Sequence, residues 1–478
     1  MSAQIRHLFG FFILLFALLL VWTTRWTVID ANALNKNPLN RRAVIEAEEV
    51  QRGRILAADG TVLAKSVPAG GGTWSRSYPL AGLYAQTVGY NNLALGSAAG
   101  LEKYRERELN GIQTGLSSVF GPLGGNQKVG DDVYTTLDTK AQQEAEQGLA
   151  GRAGSVVAID PRTGAILAMY SNPTYNDNKP QAPCASGTMA CQLNRATQGQ
   201  YPPGSTFKIV TTTAAINSGK YTPNSIINGD SPKVISGVPL SNDNNQSFGP
   251  ITLTKALTYS VNTVFAQVAE SVGRRTMTQY MKRFGFYSVP PIDLPAGEVY
   301  SSVVLSPGGK PFPPASPNED IGRIGIGQGG LAVTPLQMAM VASAVANGGK
   351  LMAPHLTDRV VNQTGQTVET IQPTLYRNVM TAKTASEITT MMRTVVDEGT
   401  GTPAQLGNNI PFAGKTGTAS IGPAGEDETQ PWFIGFAPAN DPKVAIAVTI
   451  EKTIGGFGGQ VAAPIAKDVV QTLLAEGK

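Results

Sequence analysis

From Leu8 to Trp22 the chain reads LFGFFILLFALLLVW without a charge, and Thr23 and Thr24 extend the run before Arg25 interrupts it. A segment of this length and apolarity can just span a bilayer as a helix, so the rest of the chain must fold as a body held at, or carried across, a membrane. Trp22 and Trp26 suit an interfacial belt on the far side. Arg6 and the amino terminus before the run, against Arg25 after it, leave orientation open by charge; the size of the body beyond residue 25 favours export. Ala31-Asn32-Ala33 resembles the small-residue site of a cleaved signal peptide, but it lies far beyond the apolar core. An uncleaved single-pass anchor is therefore expected, with 1–7 as a short cytoplasmic tail, 8–24 as the transmembrane segment and 25–46 as a polar linker or juxtamembrane helix.

The remainder of the 478 residues, in a chain 41% hydrophobic and 15% charged, is long enough for one large domain and a smaller companion. Its 53 glycines and 32 prolines predict many turns between short elements. A net charge of +4 without any Lys/Arg run gives a nucleic-acid partner no electrostatic support. There are only 2 histidines. His7 adjoins the anchor and His355 follows Pro354 in a loop-like stretch, which starves a metal site of ligands and leaves a Ser-His-Asp triad with one unpromising base. No metal and no cofactor are expected. Cys184 and Cys191 lie close together in a Pro/Gly/Ser-containing segment; a local disulfide suits an oxidising compartment, and two free loop thiols are the alternative.

Along the body, Arg52 to Ser66 carries apolar residues on either side of Asp59-Gly60, a hairpin signal, and a Gly-rich bend comes next at Ala69 to Thr73. Helical spacing appears at Leu101 to Leu109 and again at Thr139 to Leu149, where Asp138 can cap the helix. Residues 47–151 thus read as a small non-catalytic α+β module, of pedestal or dimerisation type, and 152–478 as the main domain. That domain opens with GSVVAI and AILAMYS around the Asp160–Gly164 turn. It closes with PWFIGFAP and KVAIAVTIE, then a helix from about Val461 to Leu474. Strands first and last with helices between predict an antiparallel sheet covered by helices on both faces, in the α+β/α/β class.

The chemistry concentrates in Tyr201-Pro-Pro-Gly-Ser-Thr-Phe-Lys208. Pro and Gly halt the preceding chain and a helix begins at or beside Ser205, placing its hydroxyl at the positive end of the helix dipole. Lys208 is three residues on, one turn away on the same face, so its amine is expected to reach Ser205. In a desolvated pocket a lysine's neutral form becomes accessible and can take the serine proton. Alone, Ser-x-x-Lys is a weak signal. Ser260-Val-Asn262 at a helix start and Lys415-Thr-Gly-Thr418 on a probable strand complete the trio that penicillin-binding proteins and class A β-lactamases share.

With these motifs the chain resembles a class B penicillin-binding protein of the short actinobacterial A type. The likeness runs from RGRILAADG through GLEKYRERELNG, TTLD, AIDPRTGAILAM, PPGSTFK, IGQGGLAVTPLQMA and AGKTGTA to WFIGFAP, nearly everything after the anchor. Val261 departs from Ser-Asp-Asn only at the variable position. The resemblance implies the penicillin-binding transpeptidase fold and a D,D-transpeptidase that cross-links peptidoglycan stem peptides and is inhibited covalently by β-lactams. It assigns Ser205 as nucleophile, Lys208 as base and Ser260 as proton relay. Asn262 would hold the substrate amide, and Lys415 with the Thr416 and Thr418 hydroxyls would hold its carboxylate. The backbone N–H groups of Ser205 and Thr418 would form the oxyanion hole. Gly417 is expected to leave room for substrate to lie along the strand. A polytopic membrane glycosyltransferase is the implied partner, because no glycosyltransferase region precedes residue 152.

Other signals carry less. Gly325-Ile-Gly327-Gln-Gly329-Gly330 satisfies G-x-G-x-x-G, yet no acidic residue stands where a dinucleotide ribose would need one; a bend near the catalytic strand is the better reading. The acidic stretch Glu426 to Glu428 reads as a solvated loop. No Glu-x-x-Leu-Asn element stands between Ser260 and Lys415 to activate water, which favours a transpeptidase over a β-lactamase. A D,D-carboxypeptidase and a non-catalytic β-lactam or wall-peptide sensor remain as alternatives.

Overall fold

The computed structural model describes residues 3–30, 47–111, 129–184, 189–421 and 428–477. The linker from 31, with Ala31-Asn32-Ala33, lies outside the described residues, as does the acidic stretch up to 427. The N-terminal run is a helix, α1 (Ala3–Thr24), continued to Ile29 by a wider π turn, and its apolar side chains are exposed. It is long and apolar enough to cross a membrane or to act as a signal. Trp22 and Trp26, one turn apart, meet at an interplanar angle of 45° with ring centroids 5.8 Å apart, and the Arg25 guanidinium lies over Trp22.

The small module is built on β1 (Ile55–Leu56), β2 (Val62–Gly70), β3 (Thr73–Ser77) and β4 (Asp132–Thr135). β1 and β2 pair antiparallel across the Asp59-Gly60 turn, and β4 lies parallel to β1. Its interior holds a charge: Glu102 is fully buried and accepts from Arg52 Nε at 3.0 Å and Arg76 Nε at 2.6 Å. Burial alone would raise this carboxyl, but the two arginines outweigh it and hold it below its ordinary value. Arg52 opens the RGRILAADG segment and Glu102 belongs to GLEKYRERELNG, so one buried ion pair joins the two.

The main domain is entered through α2 (Thr139–Leu149), with Asp138 accepting from Ala141 N–H at 2.9 Å as the cap. The hairpin β5 (Gly154–Ile159) and β6 (Ile166–Asn172) comes next, then the helices α3 (Lys208–Asn217), α4 (Asn262–Val272) and α5 (Pro335–Ala346). After these, β7 (Thr357–Val361) and β8 (Thr367–Thr370) return to the small module, where β7 pairs with β4. The small sheet has the order β8-β7-β4-β1-β2-β3. It therefore takes strands from both sides of residue 151, and Arg105 reinforces the junction through Thr357 Oγ1 and the Glu369 carboxylate. Non-local pairing of this kind leaves no mark in composition.

After α6 (Ala382–Asp397), the strands β9 (Ala413–Ser420), β10 (Glu428–Ala437) and β11 (Val444–Ile450) complete the central sheet, in the order β9-β10-β11-β5-β6, antiparallel throughout. β5 and β11 are buried at every residue because helices cover both faces. The last helix, α7 (Gly458–Ala475), packs with α2 on one face; α5 and α6 pack on the other. α5 is buried along almost its whole length, as expected of a helix apolar on all sides. Among the described residues β9 pairs with β10 alone and so leaves a free edge.

Cys184 and Cys191 are bonded, with Cα atoms 5.8 Å apart. His355 makes backbone pairs with Gly164 and Ile166 beside the β5–β6 turn, a structural position.

Candidate active site

The chain before Ser205 is clamped from several sides. Tyr201 exchanges two backbone hydrogen bonds with Val333, at 2.9 Å each, and its hydroxyl donates to Glu451, which also pairs with Arg195. Pro202 O accepts from Trp432 Nε1 at 3.0 Å. Gly204 N–H donates to Gly327 O at 3.0 Å. At a φ of +81°, Gly327 lies so close that a Cβ there would fall 1.9 Å from Gly204 O. The glycine-rich run thus supports the turn carrying the serine, where its backbone must approach another backbone.

Ser205 itself lies half-buried in a 3₁₀ turn, Gly204–Phe207, that leads straight into α3. Lys208, the first residue of α3, is fully buried. Its Nζ donates to Ser260 O at 2.6 Å, Ser260 Oγ at 3.2 Å and Asn262 Oδ1 at 2.7 Å. Contrary to the expected direct contact, no hydrogen bond joins this amine to Ser205 Oγ among the described residues. The Ser260 segment captures it first. Ser260 adopts a φ of +59°, a strained value for a residue with a side chain, which turns its hydroxyl and carbonyl toward the lysine.

Lys415 arrives from β9, equally buried, and donates to the same Ser260 Oγ at 2.9 Å and to Thr416 O at 2.9 Å. Two amines therefore converge on one hydroxyl. Burial brings Lys208 down to about 7, with the charge of Asp243 working the other way. Burial, and then repulsion from Lys208, pushes Lys415 well below its ordinary value. With both amines donating to Ser260 Oγ, that hydroxyl's own proton is free to point toward a substrate.

The remaining predicted residues divide. Asn262 joins the network through Oδ1, while its Nδ2 turns outward to Ser241 O at 3.3 Å and Asp243 Oδ1 at 3.4 Å. The Thr416 hydroxyl is bonded to that of Thr400 at 2.6 Å, and Thr418 Oγ1 accepts from Gly458 N–H at 3.1 Å. The Thr416 hydroxyl is thus engaged inside the protein, whereas Thr418 keeps its own hydrogen to donate. Gly417 has a different reason from the one expected. A Cβ there would meet Pro203 O at 2.8 Å and Thr206 Cγ2 at 2.9 Å. It faces inward against the serine's turn and not the lane along the strand, because alternation along β9 sends 415 and 417 to the same side.

Thr418 stands opposite Pro431. Proline has no N–H to give, which sets Thr418 among the positions whose N–H and C=O look outward from the sheet edge. A Cβ on Gly204 would lie 2.9 Å from Thr418 O, so the serine's turn and this edge touch. The Ser205 N–H, in the first helical turn, has no intrahelical acceptor. Sequence reasoning missed Asp243, Thr400 and the Tyr201–Glu451–Arg195 cluster. The turn-rich run Ser241-Asn-Asp-Asn-Asn245 was the one available signal, for Asp243.

A half-buried serine at a helix start, a buried lysine one turn on, and a second buried lysine on the edge strand match the pattern of a serine acyltransferase of the penicillin-recognising class. Similarity to known proteins agrees. Residues 154–471 match the penicillin binding protein transpeptidase domain, and residues 52–133 match the penicillin binding protein A dimerisation domain. The chain belongs to the penicillin-binding protein transpeptidase family. It is 32% identical over 513 residues, covering 100% of both chains, to the peptidoglycan D,D-transpeptidase PbpA of Mycolicibacterium smegmatis. Against the PbpA of Mycobacterium tuberculosis it is 32% identical, with 99% of each chain covered. Among solved structures it is similar to the ceftriaxone acyl-enzyme complex of M. tuberculosis penicillin-binding protein A, with a TM-score of 0.78, 30% identity and coverage of 90% of this chain and 100% of that one. It is similar also to the D,D-transpeptidase domain of a peptidoglycan glycosyltransferase from Eggerthella lenta, with a TM-score of 0.76 and 34% identity, over 90% of this chain and 99% of that one.

Proposed function

We propose that this chain, a peptidoglycan D,D-transpeptidase of the penicillin-binding class, works through an acyl-enzyme on Ser205. The observation that carries the reading is the convergence of Lys208 and Lys415, from segments far apart in sequence, on the Ser260 hydroxyl. A stem peptide ending in D-Ala-D-Ala would enter along the free edge of β9, its terminal carboxylate meeting Lys415 and the Thr418 hydroxyl. That negative charge holds Lys415 protonated, and repulsion from Lys415 then keeps Lys208 neutral. Neutral Lys208 takes the Ser205 proton as Oγ attacks the penultimate D-alanine carbonyl. The oxyanion accepts from the N–H groups of Ser205 and Thr418. Ser260 passes a proton to the departing D-alanine amine, and an amine from a neighbouring stem later displaces Ser205. β-Lactams acylate the same serine and stay.

We place the body outside the cytoplasm, held by α1 as a single-pass anchor. Residues 47–151 serve as the non-catalytic module and 152–478 as the transpeptidase domain. The glycan strands come from a membrane glycosyltransferase partner. Muropeptides incubated with the enzyme test the reaction: cross-linked dimers are expected, while tetrapeptide monomers alone would indicate a D,D-carboxypeptidase and no product at all a sensor. Intact mass after penicillin exposure, with peptide mapping of the adduct, tests Ser205.

A further inference from the structure

The loop before the Ser260 segment carries an acid that acylation does not consume. Asp243 is exposed, 3.4 Å from Asn262 Nδ2, while the amines of Lys208 and Lys415 lie fully buried beyond it. Among the described residues it is the one carboxylate whose charge reaches both amines. Its position is held firmly. Asn242, 5% exposed, donates Nδ2 to Gly229 O at 3.0 Å and Gln246 O at 2.9 Å. It also accepts from Thr263 N–H at 2.9 Å, in the first turn of the helix that carries Asn262. Asn244 and Asn245 come next at φ values of +54° each, left-handed backbone that the anchored ends sustain.

Transfer needs something acylation does not. Its second substrate is an amine that travels as an ammonium ion at neutral pH, and it must reach a site where two lysines already sit. Their positive potential opposes its entry, and a carboxylate at the mouth offsets that opposition. We propose that Asp243 docks the acceptor's ammonium group and thereby selects cationic acceptors for the transfer half-reaction. This rests on the transpeptidase reading. The docked ammonium loses one proton to water at the exposed carboxylate. Its nitrogen attacks the ester carbonyl carbon and the C–N bond forms. The C–O bond to Ser205 breaks, and the surplus proton on nitrogen passes by way of Lys208 to the Ser205 oxygen.

The test uses full-length wild type, Asp243→Asn and Asp243→Glu at pH 8.5, above the Lys208 range. A thioester donor is paired with D-alanine, a zwitterion whose amino group is mostly ammonium at that pH, or with neutral hydroxylamine. In Asp243→Asn the KM for D-alanine should rise about tenfold relative to that for hydroxylamine, and Asp243→Glu should recover most of the difference. Equal loss with both acceptors, a parallel fall in penicillin acylation, or an unchanged D-alanine KM would overturn the proposal. A wild-type enzyme that is acylated by penicillin yet transfers to neither amine would overturn the transpeptidase reading, and this one with it.

Discussion

In the proposed mechanism the base that activates Ser205 is Lys208, and a lysine at its ordinary value of 10.5 would be useless for the task near neutrality. At pH 7 only about 0.03% of it would be neutral. Burial of Lys208 brings its value to about 7, which leaves about half neutral and enlarges the active fraction roughly a thousandfold. The sign is set by the neutral amine being the working form. Acylation should climb about tenfold per pH unit below 7 and level off above about 8. Because Lys415 shares the Ser260 hydroxyl, the inflection belongs to the pair. The assay is the second-order rate constant for a fluorescent penicillin between pH 5 and 9. Lys208→Arg, charged throughout that range, should lose at least about a thousandfold and show no rise with pH. A flat wild-type profile, or one still climbing at pH 10, would refute the argument that desolvation makes this lysine a base.

Three further outcomes rest on the geometry. Ser205→Ala should abolish penicillin labelling while changing stability by less than about 0.5 kcal/mol in denaturant titration, since the half-buried hydroxyl makes no hydrogen bond among the described residues. Gly417→Ala must displace either the Pro203 carbonyl or Thr206, only 2.8 and 2.9 Å from the new methyl. A loss of about 1–3 kcal/mol and about a hundredfold slower acylation are expected, and near-normal labelling kinetics would show that the turn can yield. Glu102→Gln leaves Arg52 and Arg76 buried without their counter-charge and should cost about 3–5 kcal/mol, read as a lowered urea midpoint. Unchanged stability there would mean that water reaches the pair.

Much of this molecule is written locally. The apolar run is a helix because apolarity and length act along the chain itself, and Asp138, the Asp59-Gly60 turn and the strand pairs at both ends of the main domain are short-range features of the same kind. The three motifs that the structure brings together were legible because each needs only its own few residues to present its group. What tertiary structure alone decided is where these groups meet. Lys208 is turned onto Ser260 by a left-handed backbone 52 positions away, Lys415 joins it from 155 positions on, and Gly417 answers to the serine's turn. The small sheet borrows β7 and β8 across the apparent domain boundary for the same reason. Hydrogen bonds and desolvation depend on distance in space, and sequence separation carries no record of that distance. Burial, which lowers both lysines and brings Lys208 to about 7, exists only once the chain has folded.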